Sequence, residues 1–309
     1  MMKKFFVAIA ALVLAASVAA AQDYNAAVEA FNAGATALES NKTEAIAQFR
    51  AAMEIANQCG EEEAAELIAK CESAIVGALM SISKEKINEG AYDEALTALA
   101  ETKATAEQYG LADEVAEADA LVPNVYMRKG STQLKAKDFA GATATLEELV
   151  KITPEDGQAL LLLGQAKMQN GDLNGAIPAL EKASELGKAD QANKLLSNAF
   201  LKQGQLLLKA GKNAECVAAL EKSNSYVESG NAYKLIASAY TKMGKSKDAI
   251  NAYKKYLDLD PKAKDAADIM FTIAATAQKA GDKATAKEYY QKLAGTKYAA
   301  QAEAQLKTL

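Results

Sequence analysis

The stretch Thr153–Gly187, TPEDGQALLLLGQAKMQNGDLNGAIPALEKASELG, predicts two amphipathic helices joined by a tight turn. Thr153 suits an N-cap and Pro154 suits a first helical residue, so the first helix is predicted to begin here. Gly171 marks the turn. One such hairpin cannot bury its outer apolar faces alone, so it needs neighbours. The apolar residues that recur at helical spacing on either side of the turn are Leu160, Leu163, Ala166, Leu173, Ala176, Ile177 and Leu180.

Two small residues, Gly164 and Ala176, lie where the antiparallel helices of this hairpin would cross. Small residues at a crossing let the two backbones approach closely, and a bulkier side chain would overpack the joint by roughly 1–3 kcal/mol. Gly130 precedes Gly164 by 34 residues, and Ala142 precedes Ala176 by the same interval. The chain therefore repeats the hairpin with a period of 34 residues.

This period, with its small-residue and turn-glycine pattern, resembles the tetratricopeptide repeat family. The pattern is specific over about residues 124–294 and looser over 24–109, and one turn, at Lys137, lacks the glycine. The resemblance implies an all-α fold, a right-handed superhelical solenoid of about seven helix-turn-helix repeats with a C-terminal capping helix. The structural alternative is a plain antiparallel helical bundle. Turn glycines occur at Gly90, Gly171, Gly211, Gly244 and Gly281.

Pro123 follows a helical segment at Leu111–Leu121 and cannot donate a backbone hydrogen bond. We therefore expect the helix to be interrupted there, before the next repeat begins. The two halves of the array could then flex at this point. The predicted organisation is a signal peptide at 1–21, irregular helical hairpins at 22–122, regular repeats at 123–294 and a capping helix at 295–309.

The N-terminus has the pattern of a secretory signal peptide. Lys3 and Lys4 form a basic start, residues 5–18 are apolar, and Ala19–Ala21 supply the small residues of an A-x-A cleavage site. The alternative is a retained membrane anchor, but the run is short for a span of about 20 residues. No cysteine lies near the site, as a lipoprotein would require. The pattern predicts an exported protein of the periplasm or the extracellular space.

Composition argues against several classes of function. Histidine is absent, which removes the commonest general base and transition-metal ligand, and we predict no catalysis, metal or cofactor. Only Arg50 and Arg128 are arginines and the net charge is −5, so nucleic acid is not an expected partner. Cys59 and Cys71 could pair in an oxidising compartment, although about three helical turns, on the order of 15 Å, would separate them.

In the family that this chain resembles, the first helices of successive repeats line a concave groove that holds an extended peptide or a partner helix. Amide side chains in such a groove can donate to and accept from a peptide backbone, and lysines attract carboxylates. The alternative is that these residues form an ordinary solvated face. Carried onto this sequence, the groove positions are Asn124, Ser131, Lys135, Gln158, Gln165, Gln169, Asn198, Gln205, Lys209, Asn231, Ser238, Lys242 and Lys279.

The sequence therefore predicts a non-catalytic, exported scaffold that binds a peptide segment or partner helix of another envelope protein. No integral membrane segment is expected after signal cleavage, and the oligomeric state stays open. One alternative is a periplasmic protein that binds a small molecule or glycan, although the groove positions offer mainly Phe271 for stacking on a sugar. Another is an accessory subunit of an envelope enzyme or transport complex.

Overall fold

The computed structural model describes residues 24–59 and 62–309, and every regular element within these ranges is a helix. The predicted all-α class, built from successive helical hairpins, is confirmed. The predicted signal peptide lies outside the described residues. The helices are α1 (24–37), α2 (Lys42–Cys59), α3 (Glu62–Glu89), α4 (Tyr92–Tyr109), α5 (Ala112–Lys135), α6 (Phe139–Ile152), α7 (Gly157–Gln169), α8 (Leu173–Ala183), α9 (Ala189–Lys209), α10 (Asn213–Tyr226), α11 (Gly230–Lys242), α12 (Ser246–Leu259), α13 (Ala266–Lys279), α14 (Lys283–Gln291) and α15 (Ala299–Leu306).

The chain divides into two compact units, which we call unit 1, ending at Thr132, and unit 2, beginning at Gln133. In unit 1, α3 packs against both α2 and α4. Phe49 and Ile75 are at most 1% exposed in a cluster formed by α1, α2 and α3. A second cluster joins α3, α4 and α5 around Leu99 and Val125. Each cluster buries the apolar stripes of consecutive helices, as stacked hairpins require.

In unit 2, four hairpins follow one another: α7 with α8, α9 with α10, α11 with α12, and α13 with α14. Each second helix also packs against the first helix of the next hairpin. The predicted C-terminal helix is present as α15, which packs on α14 and buries Ala302 to 2% exposure. It covers apolar surface that the last hairpin would otherwise expose.

Close contacts between the two helices of a hairpin require small residues where the helices cross. A Cβ atom on Gly164 would lie 2.5 Å from Cγ of Leu180, and one on Gly204 would lie 2.6 Å from Cγ of Leu220. Neither distance is compatible with normal packing. The prediction that small residues let the helices of a hairpin approach closely is confirmed at Gly164, and Gly204 has the same role in the next hairpin.

The turns between paired helices use left-handed backbone. Gly171, Gly211, Gly244 and Gly281 have φ between 72° and 90°. Lys137, in the turn where the sequence pattern lacks glycine, has φ 62° and is the one non-glycine residue with positive φ in the described ranges. The turn geometry is thus kept even where the sequence departs from the pattern.

The predicted interruption at Pro123 is wrong, because α5 runs through it without a break. The fixed φ of proline is compatible with a helix, and its missing N–H removes a single hydrogen bond. Ala118 and Val125, on either side of Pro123, are at most 1% exposed in the core of unit 1. This burial holds both halves of the helix in place.

The predicted start of a helix at Thr153 and Pro154 is also wrong. Helix α7 begins at Gly157, and its N-cap is Asp156, which accepts hydrogen bonds from the backbone N–H of Gln158 at 2.8 Å and Ala159 at 3.2 Å. Thr153 instead ends α6, and its hydroxyl donates to the Leu149 carbonyl at 3.0 Å. Asp156 satisfies two free amide groups of the helix end, which explains where the helix starts.

Cys71 is a buried free thiol, so the bridge to Cys59 that the sequence left open is absent. Burial raises the pKa of the Cys71 thiol to about 11, which keeps it protonated and unreactive. Within 24–59 and 62–309, no helix is both long enough and apolar enough to cross a membrane.

Candidate functional site

The first helices of neighbouring hairpins in unit 2 lie side by side. Helix α9 contacts α7 on one side and α11 on the other. Residues at equivalent positions of these three helices therefore lie on one continuous surface. We call this surface, formed by the outward sides of α7, α9 and α11, the first-helix face.

Helix α9 shows how the sequence builds this face. Asn198, Leu201, Gln205 and Lys209 follow one another at intervals of three or four residues, which places them on one side of the helix. Leu196 and Ala199, on the opposite side, are fully buried. The pattern that buries one side of α9 therefore presents the amides and the lysine on the other.

Eleven of the thirteen predicted groove residues belong to unit 2. The other two, Asn124 and Ser131, lie on the part of α5 that belongs to unit 1. Gln158, Gln165 and Ser238 are half-buried. The exposed members in unit 2 are Lys135, Gln169, Asn198, Gln205, Lys209, Asn231, Lys242 and Lys279.

The amide groups of Asn198, Gln205 and Asn231 form no hydrogen bond with any part of the chain that the structure describes. Within those same residues, the ammonium groups of Lys209 and Lys242 form no ion pair. These side chains do not hold the fold together. Their hydrogen-bonding capacity is available to a ligand.

One group on the first helices is used internally. Lys234 on α11 forms an ion pair with Asp265, which precedes α13, and its ammonium lies 5.6 Å from the ring centroid of Tyr256 on α12. The hydroxyl of Tyr256 donates to the other carboxylate oxygen of Asp265 at 2.5 Å. Lys234, then Tyr256, lower the pKa of Asp265, while the bond to Asp265 and burial raise the pKa of Tyr256 to about 12. This triad joins three consecutive helices.

Helix α13, the first helix of the final hairpin, is covered by the C-terminal segment. Phe271 stacks on Tyr298 with ring centroids 4.7 Å apart, and Lys297 pairs with Asp268 at 2.5 Å. Hydrogen bonding from Lys297 and Tyr298 lowers the pKa of Asp268. Tyr298 thus occupies one face of Phe271, the aromatic ring that a stacked sugar would need.

Sequence reasoning missed the apolar part of the first-helix face. Leu201 and Leu208 on α9 are half-buried and pack on the core of the α9–α12 hairpins while keeping part of their surface exposed. They fall between the polar residues at the same three- and four-residue intervals, so the spacing from Asn198 could have identified them. The face therefore combines amides and lysines with an apolar strip.

The two units differ sharply in charge. Unit 2 contains 25 lysines and 20 acidic residues, a formal net charge of +5. Residues 24–132 of unit 1 contain 8 basic and 19 acidic residues, a net charge of −11. In unit 2 the excess of lysine favours an acidic ligand on the first-helix face.

The described residues contain no group of three His, Cys, Asp or Glu side chains that could hold a metal ion. The shifted pKa values of Asp265 and Asp268, at the start of α13, are explained by their lysine and tyrosine neighbours within the fold. The arrangement suits binding by hydrogen bonds, charge and apolar contact.

Comparison with known protein families gives three matches, all to tetratricopeptide repeat models. They cover residues 133–199, 230–263 and 268–296. All three lie in unit 2 and include α7, α11 and the first half of α9. A search of curated proteins found no match.

Among solved structures, one similar chain is the MamA protein, at 24% identity and a TM-score of 0.39, covering 56% of this chain and 90% of that one. MamA 41-end from Desulfovibrio magneticus RS-1 matches at 22% identity and a TM-score of 0.37, covering 55% and 92%. YrrB, described as a TPR protein with an unusual peptide-binding site, matches at 17% identity and a TM-score of 0.35, covering 65% and 91%.

Proposed function

We propose, from the premise that this chain belongs to the tetratricopeptide repeat family over residues 133–296, that its first-helix face binds a peptide segment or helix of a partner protein. The tetratricopeptide repeat is a protein-interaction fold. In this proposal the chain is a scaffold: it contributes binding and no covalent chemistry.

The observation that carries the proposal is the row of unengaged polar side chains at equivalent positions of adjacent helices. Asn198 and Asn231 begin the row on α9 and α11, and Lys209 and Lys242 end it. A peptide backbone presents N–H and C=O groups along its length, and an amide side chain can serve either kind of group. A regular row of amides therefore suits an extended backbone or an exposed helix.

The chemistry of the face also indicates the kind of segment. Carboxylates of the partner would meet the lysines, each partly exposed pair contributing roughly 0–1 kcal/mol. Apolar side chains would contact Leu201 and Leu208. We therefore propose a segment in which acidic and apolar residues alternate along the side that faces this protein.

We further propose that the protein works in the cell envelope. The basic start, the apolar run and the small residues at Ala19–Ala21 support export and cleavage of the leader. The test is the N-terminus of the protein purified from its own organism. Sequencing should find Gln22 first, whereas an N-terminus at Met1 in a cytoplasmic fraction would overturn this part of the proposal.

Affinity capture with paired variants tests the binding face. The wild-type protein should recover one stoichiometric partner from envelope extract, and the double change Asn198→Ala and Asn231→Ala should reduce its recovery about tenfold, because two backbone-binding amides are lost. The fold should be unchanged, since neither amide bonds within the described chain.

Asn251→Ala is the matched control, because Asn251 is an exposed asparagine on the second helix α12. It should capture the partner as well as wild type does. Equal recovery by the double variant and by the control, with intact circular dichroism, would show that the first-helix face is not the binding site. A thermal shift with glycans and no protein partner would favour the small-molecule alternative.

A further inference from the structure

Unit 1 contains a surface cleft lined by residues of its helices α2 and α4. It lies between α2 and α4 and encloses about 450 Å³. Tyr109 and Met53 are half-buried and pack on the apolar cluster of unit 1, so the wall that they form is anchored. The lining residues are Arg50, Met53, Glu54, Asn57, Thr105, Gln108 and Tyr109.

Arg50 is the unusual member of this lining. Each of the six lysines of residues 24–132 lies within 4.0 Å of a carboxylate oxygen. Arg50 belongs to the same acidic unit, yet it forms no ion pair with any residue that the structure describes. Glu54 lies one helical turn further along α2, at a spacing that commonly supports an ion pair, and it does not form one here.

The remaining polar groups of the cleft are also available. The side chains of Asn57, Thr105, Gln108 and Tyr109 form no hydrogen bond to another residue in 24–59 or 62–309. Several donors and acceptors therefore converge on one concave surface without partners, around a half-buried tyrosine and methionine. Tyrosine, methionine and arginine are also the residue types that protein interfaces concentrate.

The charges of Arg50, Glu54 and unit 1 indicate which kind of ligand the cleft would bind. The guanidinium of Arg50 offers two parallel N–H donors to a carboxylate. An isolated acidic ligand would be repelled by the net charge of −11 on residues 24–132. Glu54 beside Arg50 favours a ligand that carries a cation next to its carboxylate.

We propose that the α2/α4 cleft is a second docking site, which binds a segment of a partner protein that presents a carboxylate to Arg50 and a neighbouring basic side chain to Glu54. Tyr109 and Met53 provide the apolar wall, and the amides of Asn57 and Gln108 bond to the partner's backbone. This site lies in unit 1 and is independent of the binding proposed for the first-helix face.

The low arginine content gives a direct test on the full-length protein. Labelling with ¹⁵N-arginine produces two Nε–H signals, one of which is assigned to Arg50 by its loss in Arg50→Gln. The probe is the peptide acetyl-Ala-Glu-Ala-Ala-Lys-Ala-amide, titrated to about millimolar concentration, where a weak single-segment contact is detectable. The Arg50 signal should shift along a saturating curve, and the Arg128 signal should stay in place.

Two matched controls make the result decisive. The same peptide with glutamine in place of its glutamate should leave the Arg50 signal unmoved, because the carboxylate is absent. Arg128→Gln removes the other exposed, unpaired arginine and should leave the affinity within about twofold of wild type, while Arg50→Gln should weaken it at least about fivefold. Both variants should keep the wild-type melting temperature.

Equal, linear shifts of both arginine signals would show simple charge screening and would overturn the proposal. An unmoved Arg50 signal at the highest peptide concentration would do the same.

Discussion

At the scale of single residues, Lys137 adopts a backbone conformation that its counterparts in other repeats reach with glycine. Its φ of 62° costs an L-residue roughly 1–2 kcal/mol, and its side chain is exposed. We predict that Lys137→Gly stabilises unit 2 by about 0.5–1 kcal/mol, the gain being reduced by the greater freedom of glycine in the unfolded chain. Urea denaturation followed by circular dichroism measures the change.

The reverse substitution is the control. Gly171 stands in the equivalent turn of the next hairpin with φ 90°, and no atom lies within 4 Å of where its Cβ would be. Gly171→Lys should therefore destabilise unit 2 through backbone strain alone, by about 1 kcal/mol. If both substitutions changed stability in the same direction, the account of the turn would be wrong.

Residue-level rules also explain what the sequence could and could not predict. The small residues at the crossings and the turn glycines were predictable because each follows from local steric requirements. The start of α7 was not, since Thr153 and Asp156 are both acceptable N-caps. Gly157 lies against the segment after α8, where an added Cβ would come 2.7 Å from the Leu186 carbonyl oxygen. The sequence alone does not show that Asp156 accepts from the amides of Gln158 and Ala159 while Thr153 ends α6.

At the scale of elements, the Lys234–Asp265–Tyr256 triad joins α11, α12 and α13. The folded state lowers the pKa of Asp265. Its contribution to the free energy of unfolding is therefore present above the pKa of the unfolded chain and is lost as the pH falls toward the pKa of the folded state. The pKa of Tyr256 is raised from 10.0 to about 12. Its contribution to the free energy of unfolding is therefore present below pH 10 and is lost as the pH rises toward 12. We predict that Tyr256→Phe lowers the free energy of unfolding by about 1–2 kcal/mol at pH 7.

The pH dependence separates this role from simple packing. The difference in stability between wild type and Tyr256→Phe, measured by denaturant titration, should shrink between pH 10 and pH 12, because the wild type loses its bond there. Asp265→Asn should remove most of the loss of stability that the triad causes at acidic pH, because the carboxylate that becomes protonated there is gone. A difference that stays constant from pH 7 to pH 12 would mean that the phenol bond contributes nothing.

The triad also marks the limit of sequence reasoning about the site. The exposure of Asn198, Gln205 and Lys209 follows from their place opposite the buried side of α9, and helical spacing alone predicts it. The engagement of Lys234 does not, because its partner Asp265 lies 31 residues away and precedes a different helix. The cleft around Arg50 was missed for the same reason: its two walls come from α2 and α4.

At the scale of the whole molecule, the packing contacts are local, since helices contact their near neighbours in sequence. Phe49 is 1% exposed and its ring centroid lies 5.3 Å from that of Phe31, within unit 1. We predict that Phe49→Ala, which removes about 3–5 kcal/mol of packing, lowers amide protection in α1–α3 and leaves α11–α14 unchanged. Hydrogen exchange with mass spectrometry resolves the two regions.

The reciprocal variant is Ile273→Ala, at a fully buried residue of α13. It should lower protection in α11–α14 and spare α1–α3. A uniform loss of protection across the chain in either variant would indicate one cooperative structure and would contradict the division into two compact units.

The connection between α8 and α9 has a consequence for how this repeat array can change over evolution. Its non-helical residues, Leu186 and Gly187, and the added first turns of α9 lengthen the interval from Gln165 to Gln205 to 40 residues, yet α9 still lies beside α7. The extra length is taken up at the joint, and α9 keeps its place in the first-helix face. Insertions at this joint could therefore accumulate without disturbing the side-by-side arrangement of the first helices.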